Sequence, residues 1–128
     1  MTDTAKLFYT KEHEWIEQIN DDYVRIGITE YAVEQLGDIV FVELPEVDTE
    51  LSEEDEFSTV ESVKSTSEIF APVAGSISKV NSSLEDEPEQ MNDSPYEEGW
   101  LIELQLKETV DTSKLLDEKA YQDYLTTL

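Results

Sequence analysis

Residues 60–75 read VESVKSTSEIFAPVAG, and this stretch decides the fold predicted for the whole chain. The segments 57–63 and 66–70 are rich in β-branched and aromatic residues, and a proline and a glycine follow the second one. Two short β-prone runs separated by a few polar residues predict a tight hairpin. Lys64 lies at or near the tip of that hairpin.

Lys64 stands alone in an acidic region. It is the only Lys or Arg between Arg25 and Lys79, an interval that contains thirteen Asp or Glu residues. The carboxylates of Glu61 and Glu68 favour the protonated ammonium, which is not nucleophilic. Chemistry alone therefore favours an ordinary solvated lysine. The alternative is a passive attachment point to which a separate enzyme delivers an activated acyl group.

The composition restricts the kind of protein. A chain of 128 residues, 38% of them hydrophobic, is predicted to form one domain over residues 1–128, with its core at about 7–125. The chain has no cysteine, which excludes disulfides, zinc–thiolate sites and cysteine nucleophiles. No apolar run reaches the ~20 residues of a membrane helix, and residues 1–10 lack the features of a signal peptide. We therefore expect a cytoplasmic protein.

The charge restricts its partners. The formal net charge is -24, which repels nucleic acid and anionic lipid. The same charge favours a monomer and docking onto basic protein surfaces.

The other elements form a mainly β pattern with two helices. Strands are predicted within 7–16, 23–28, 39–44, 73–80 and 100–106, with a hairpin across 14–28. Thr29 is predicted to cap the first helix, with Gly37 at its end and Tyr31 or Ala32 buried beside Leu36.

The remaining segments complete the prediction. Asp117 is expected to cap a closing helix with Tyr121, Tyr124 and Leu125 on one face. The acidic segment 46–56 is predicted as a solvated loop or sheet edge, residues 73–80 as a β pair turning near Gly75, and 81–99 as an ordered loop with one helical turn. Many short strands indicate a sandwich or barrel.

The chain offers no recognisable catalytic site. With one histidine, His13, a histidine metal site is excluded, and a structural role is favoured for that residue. The serines near the hairpin have no histidine nearby in the sequence to activate them, and four glycines form no phosphate-binding loop. We expect a protein that is not an enzyme and holds no metal.

Residues 60–75 closely resemble the lipoylation segment of the glycine cleavage system H-protein family, in which ESVK carries the modified lysine. Similar signatures occur in the family's order along residues 7–125. They are HEW at 13–15, GITEYAVEQLGDIVFVELPEV at 27–47, APVAG at 71–75, VNSSLEDEPEQMNDSPYEEGWL at 80–101 and LLDEKAY at 115–121. Biotin carriers would show methionines beside the lysine, whereas Val63 and Ser65 flank it here.

The resemblance implies a fold and a site. The family fold is a barrel-sandwich hybrid of the lipoyl/biotinyl-domain type, with two small sheets and a few short helices, one of them C-terminal. Lys64 would carry lipoic acid in amide linkage, and the modifying enzyme would recognise Glu61, Ser62 and Val63. The cleft that shelters the loaded arm would be formed by four residues: Glu14, Ile28, Gln35 and Glu68.

The resemblance also implies a role in glycine catabolism and one-carbon metabolism. The carrier would take the aminomethyl group from glycine decarboxylase, a pyridoxal-phosphate enzyme, to aminomethyltransferase, and electrons to dihydrolipoamide dehydrogenase. A lipoyl or octanoyl transferase or a lipoate ligase would modify it. A lipoyl relay protein that supplies other lipoate-dependent enzymes is one alternative, and an unmodified acidic interaction domain is another.

Three residues depart from the family pattern. Many members have glycine at the positions of Asp48, Glu54 and Ser58. If those positions require positive φ, each substitution costs about 1 kcal/mol unless the loop takes another conformation.

Overall fold

The computed structural model describes residues 7–107 and 115–128. The strands are β1 (Phe8–Tyr9), β2 (Glu14–Gln18), β3 (Tyr23–Ile28), β4 (Ile39–Glu43), β5 (Glu50–Leu51), β6 (Glu56–Ser62), β7 (Thr66–Phe70), β8 (Gly75–Val80) and β9 (Ile102–Leu106). The helices are α1 (Glu30–Leu36), α2 (Ser83–Asp86), α3 (Gln90–Asp93) and α4 (Glu118–Leu125).

Two antiparallel sheets enclose the main core. One has six strands in the order β1-β2-β3-β9-β8-β5, and the other has three in the order β4-β6-β7. Ile26 and Leu104 of the first sheet and Val60 of the second are fully buried in one hydrophobic cluster. This arrangement confirms the predicted fold class: mainly β, with two sheets and a few short helices that include a C-terminal one. No helix within the described residues is long and apolar enough to cross a membrane.

Helix α1 begins and ends as predicted. The Thr29 side chain accepts a hydrogen bond from the Ala32 amide, and Gly37 ends the helix with φ of 81°. Only glycine adopts this φ readily. The predicted buried stripe is wrong in part, because Val33 and Leu36 are the buried residues of the helix.

The edge predicted for the acidic segment 46–56 is present as β5, the last strand of the six-stranded sheet, which pairs with β8 through Glu50 and Leu51. Two other segments differ from prediction. Gly75 starts β8 instead of turning a β pair, because it pairs with Leu51 of β5 on one side and with Leu106 of β9 on the other. A side chain at this position would meet the Gln105 carbonyl at 2.6 Å. The segment 81–99 holds two helical turns, α2 and α3, where one was expected.

The three departures from the family pattern divide into two groups. Asp48 and Glu54 have positive φ, 73° and 75°, so the strain expected there is present. Ser58 does not. It lies buried in β6, where its hydroxyl donates to the Glu43 carbonyl at 2.5 Å.

A second, smaller cluster attaches α4 to the six-stranded sheet. Tyr9 and Tyr121 stack with ring centroids 4.6 Å apart, and Trp15 is completely buried beside them. Tyr124 and Leu125 pack against this cluster as predicted. Asp117 caps α4 by accepting a hydrogen bond from the Ala120 amide.

Candidate functional site

Lys64 lies in the turn that joins β6 to β7, as predicted. The Ser62 hydroxyl oxygen accepts hydrogen bonds from the amides of Lys64 and Ser65, both at 3.1 Å, and donates to the Ser65 carbonyl at 3.1 Å. The Ser62 amide donates to the same carbonyl at 2.8 Å. One serine thus fixes the backbone of the turn while the lysine side chain stays exposed.

The turn also rests on the end of α1. The Val63 amide donates to the Asp38 carbonyl at 3.0 Å. The stem of Lys64 passes over Gly37, where an added Cβ would lie 3.4 Å from the lysine Cε. Gly37 thus supplies the positive φ of the helix end and lies beneath the lysine stem.

Asn92, which sequence reasoning did not single out, braces the segment under the lysine. Its side chain donates to the Gly37 carbonyl at 2.9 Å, and its oxygen accepts from the Ile39 amide at 2.9 Å. These two groups flank the junction between α1 and β4. The only signal for Asn92 in the sequence was its place within a string shared with the family.

Glu14 is a buried carboxylate with a raised pKa. It lies in β2 and is 3% exposed. Its two oxygens accept from the Thr10 hydroxyl and the Phe70 amide, each at 3.1 Å. No ion pair to it exists among residues 7–107 and 115–128. Burial raises its pKa to about 7, although the Phe70 amide and the Thr10 hydroxyl act in the opposite direction.

Helix α1 extends from the surroundings of Glu14 to those of Lys64. Glu14 is directly opposite Ile28 in the β2–β3 pairing. From Thr29 to Gly37 the chain advances by about 12 Å along the helix axis at ~1.5 Å per residue. Glu14 thus lies near the start of α1 and Lys64 over its end.

A cleft of about 510 Å³ lies beside Glu14. Its walls combine carboxylates with apolar side chains: Thr10, Lys11, Glu12, Glu14, Glu53, Glu54, Phe70, Ala71, Pro72, Leu115 and Leu116. Such a surface suits a cation attached to an apolar group.

The four predicted cleft residues have different surroundings, although Glu14 and Ile28 are neighbours in the β2–β3 pairing. Glu14 alone among them lines the cleft. Ile28 is buried in the main core, Gln35 is exposed on α1, and Glu68 is exposed on β7 opposite Thr59. A common role for all four stays a prediction.

His13 has structural contacts. Its Nδ1 lies 2.8 Å from the Tyr121 hydroxyl, which in turn lies 2.7 Å from the Thr29 hydroxyl. Burial lowers the pKa of His13 and Glu12 opposes that shift. The histidine thus links α4 to the N-cap of α1. The described residues contain no group of three or more His, Asp or Glu arranged to hold a metal ion.

The sequence is similar to those of known proteins along almost its whole length. A family model described as "Glycine cleavage H-protein" matches residues 7–128. The chain is 50% identical over 121 residues to the glycine cleavage system H protein of Geobacillus thermodenitrificans, covering 94% of each chain. It is 52% identical over 117 residues to that of Chromohalobacter salexigens, covering 91% of this chain and 89% of the relative.

A solved structure agrees with these matches. The crystal structure of a glycine cleavage system H protein from Mycobacterium marinum superposes with a TM-score of 0.85 at 38% identity. The match covers 97% of this chain and 98% of the other.

Proposed function

The chain belongs to the glycine cleavage H-protein family, and from this premise we propose that it is a lipoyl carrier whose Lys64 bears the lipoyl group in amide linkage. The observation that carries the proposal is the turn itself. An exposed amine stands on a backbone fixed by Ser62 and by the bond from Val63 to Asp38. A modifying enzyme can thus reach the amine without unfolding the site.

The residues present fit a lipoyl group. The chain has no cysteine, so redox sulfur must come from an attached group. When bound, the dithiolane would accept the aminomethyl group released in glycine decarboxylation and carry electrons to dihydrolipoamide dehydrogenase. Lys64 supplies the tether, and its stem lies over Gly37 at the end of α1.

Glu14 gives the chain a place to hold a positive charge. Each carboxylate oxygen accepts one hydrogen bond and retains a lone pair. An ammonium group near it would meet a partner already ordered by the Thr10 hydroxyl and the Phe70 amide. In this proposal Glu14 orients the charged end of the arm, and the carrier itself performs no catalysis.

The proposed partners are glycine decarboxylase, aminomethyltransferase, dihydrolipoamide dehydrogenase and a lipoyl-attaching enzyme. The excess of negative charge supports docking onto basic surfaces of such proteins. We expect the carrier itself to be monomeric.

Intact-mass analysis of the protein purified from its host tests the attachment site. We expect a lipoyl-sized increment in the wild type, its loss in Lys64→Arg, and its retention in Lys79→Arg, which is the matched control. An increment that persists in Lys64→Arg would contradict the assignment.

Glycine decarboxylation–exchange separates the carrier from the relay alternative. Lipoylated protein mixed with the host's glycine decarboxylase should support exchange of bicarbonate with the glycine carboxyl carbon. Lipoylated protein without exchange activity would favour a relay that supplies lipoyl groups to other enzymes.

A further inference from the structure

Two successive apolar side chains face solvent beside the lysine turn. In β4, Val40 is 54% exposed and Phe41 is 47% exposed, whereas Ile39 and Val42 on either side are buried. A regular strand would turn one of the two inward. The pairing of β4 with β6 is irregular between Ile39 and Phe41, and this bulge turns both outward.

The exposed pair is continuous with the turn. Phe41 lies opposite Glu61 in the β4–β6 pairing, and the Val63 amide donates to the Asp38 carbonyl just before β4. Val63 is 66% exposed, more than any other large hydrophobic residue within the described chain. We call Val40, Phe41 and Val63 the lysine-turn patch.

Acidic residues surround the lysine-turn patch. Asp38, Glu43 and Glu61 are exposed next to it in the chain or in the strand pairing. The strands β4, β6 and β7 contain no Lys or Arg, and Lys64 is the one cation in the turns that join them from residue 39 to residue 70. A second copy of so acidic a surface would be repelled. A partner surface complementary to the lysine-turn patch would be an apolar pocket rimmed by Lys and Arg.

We propose that the lysine-turn patch is the docking surface for the enzyme that attaches the lipoyl group, with Val40 and Phe41 as its apolar anchors. The inference rests on the proposed function. The attaching enzyme must bring the Lys64 Nζ into its own active site, so it must contact the residues beside the lysine. Enzymes that act on the dithiolane meet it at the far end of a long flexible arm and can dock elsewhere.

The attachment step defines how close the enzyme must come. The neutral Nζ, after loss of one proton to a base of the enzyme, attacks the carbonyl carbon of an acyl-adenylate of lipoic acid. The C–N amide bond forms as the C–O bond to the phosphate breaks, and AMP leaves while the nitrogen loses a second proton. This requires direct contact between Nζ and the activated carbonyl, so the patch enters the interface.

Lipoylation kinetics test the proposal. Unmodified wild type, Phe41→Ser, Val40→Ser and Ile19→Ser are each treated with the host's lipoate ligase, lipoic acid and ATP, and the product is followed by intact mass. Ile19 is a matched control, because it is 44% exposed in the turn between β2 and β3 of the other sheet. Truncating an interface anchor should lower kcat/KM by at least about fivefold, whereas Ile19→Ser stays within about twofold of the wild type.

A second reaction distinguishes docking from misfolding. Each variant is driven to complete lipoylation with excess ligase and is then reduced by dihydrolipoamide dehydrogenase and NADH. We expect unchanged reduction rates. Equal losses in both reactions, an equal loss in Ile19→Ser, or unimpaired lipoylation of the two β4 variants would overturn the proposal.

Two further outcomes would contradict the inference. A wild-type dimer in sedimentation that Phe41→Ser converts to a monomer would show that a second copy covers the patch, against the inference. Wild type that no ligase modifies at Lys64 would instead refute the proposed function itself, and the inference with it.

Discussion

At the residue scale, Lys64 and Glu14 occupy opposite environments. The lysine is exposed on a turn whose backbone is fixed, whereas the carboxylate is 3% exposed and has no ion pair among the residues the structure describes. Exposure lets other proteins reach the amine. Burial leaves the carboxylate to be stabilised by two neutral donors, the Thr10 hydroxyl and the Phe70 amide.

Glu14 should make stability depend on pH. Its pKa rises from 4.5 to about 7 on folding, so the folded state holds the proton more tightly than the unfolded state. The wild type should therefore lose stability relative to Glu14→Gln as pH rises from about 4.5 to about 7, by up to about 3 kcal/mol, with no further change above that. Urea denaturation of both proteins at pH 5, 6 and 8 measures the difference.

The glutamine can keep the local hydrogen bonds. Its oxygen accepts from the Phe70 amide and its NH₂ group donates to the Thr10 hydroxyl. Glu12→Gln serves as the control, since it removes an exposed charge from the same cleft. A stability difference between wild type and Glu14→Gln that stays constant over this pH range would contradict the assignment.

Replacing Glu54 with glycine should stabilise the protein. Its φ of 75° disfavours a residue with a Cβ, while its amide is held by a 2.7 Å hydrogen bond to the Ala71 carbonyl. Glu54→Gly relieves this strain but makes the unfolded chain more flexible. The free energy of unfolding should therefore rise by up to about 1 kcal/mol. Glu53→Gly removes the same charge without positive φ and should cost about 0.5–1 kcal/mol. Thermal unfolding that ranks the two variants the other way would refute the strain argument.

At the scale of elements, the junction of α1 with β4 supports the lysine turn. Gly37 ends the helix beneath the Lys64 stem, Asp38 binds the Val63 amide, and Asn92 of α3 holds the backbone on both sides. The bulge that follows in β4 turns Val40 and Phe41 outward beside the same turn. Helices α1 and α3, strand β4 and the β6–β7 turn thus meet at the lysine.

Removing the Asn92 brace should destabilise the protein. Asn92→Ala leaves the Gly37 carbonyl and the Ile39 amide without their side-chain partner, which should cost about 1–3 kcal/mol in urea denaturation. Asn92→Asp keeps the acceptor for the Ile39 amide and places a carboxylate against the Gly37 carbonyl. At pH 8 the Asn92→Asp variant should therefore lose at least as much stability as Asn92→Ala. At pH 4 it should recover part of that stability, because the protonated carboxyl group can donate to the Gly37 carbonyl. An alanine variant as stable as the wild type would show that the brace is unimportant.

At the scale of the whole molecule, charge dominates. A net charge of -24 on 128 residues opposes the compact state through self-repulsion. Within residues 7–107 and 115–128, Arg25 binds Glu103 at 2.8 Å, lies 3.8 Å from Glu17 and stacks over Trp100, and Lys107 lies 3.5 Å from Glu50. The acidity that suits docking onto basic partners thus reduces the stability of the free protein.

Salt should therefore stabilise this protein. Raising NaCl from 0.01 M to about 0.15 M shortens the Debye length from ~30 to ~8 Å and screens the repulsion, so the urea midpoint should rise. KCl at equal ionic strength should act equally, because screening does not depend on the cation. A midpoint that is unchanged, or that falls with salt, would show that specific ion pairs outweigh the general repulsion.

The sequence by itself determined those features that local patterns encode. The Lys64 hairpin, the Thr29 and Asp117 caps, the Gly37 helix end and most strands follow from residue types within a few positions of each other. The family signatures added the expected fold and raised the question of positive φ at three positions, of which Asp48 and Glu54 have it. These features were predictable because each depends on backbone preferences of neighbouring residues.

Only the tertiary structure decided what distant segments do together. The pairing of Leu51 with Gly75, the two bonds of Asn92 and the turning outward of Val40 each depend on packing between elements far apart in the chain. The same holds for Glu14, which is buried and accepts a hydrogen bond from the Phe70 amide, 56 positions away. Apolar periodicity predicts which hydrophobic side chains are buried, whereas the burial of a carboxylate depends on how distant segments assemble, and the residues around Glu14 do not indicate it.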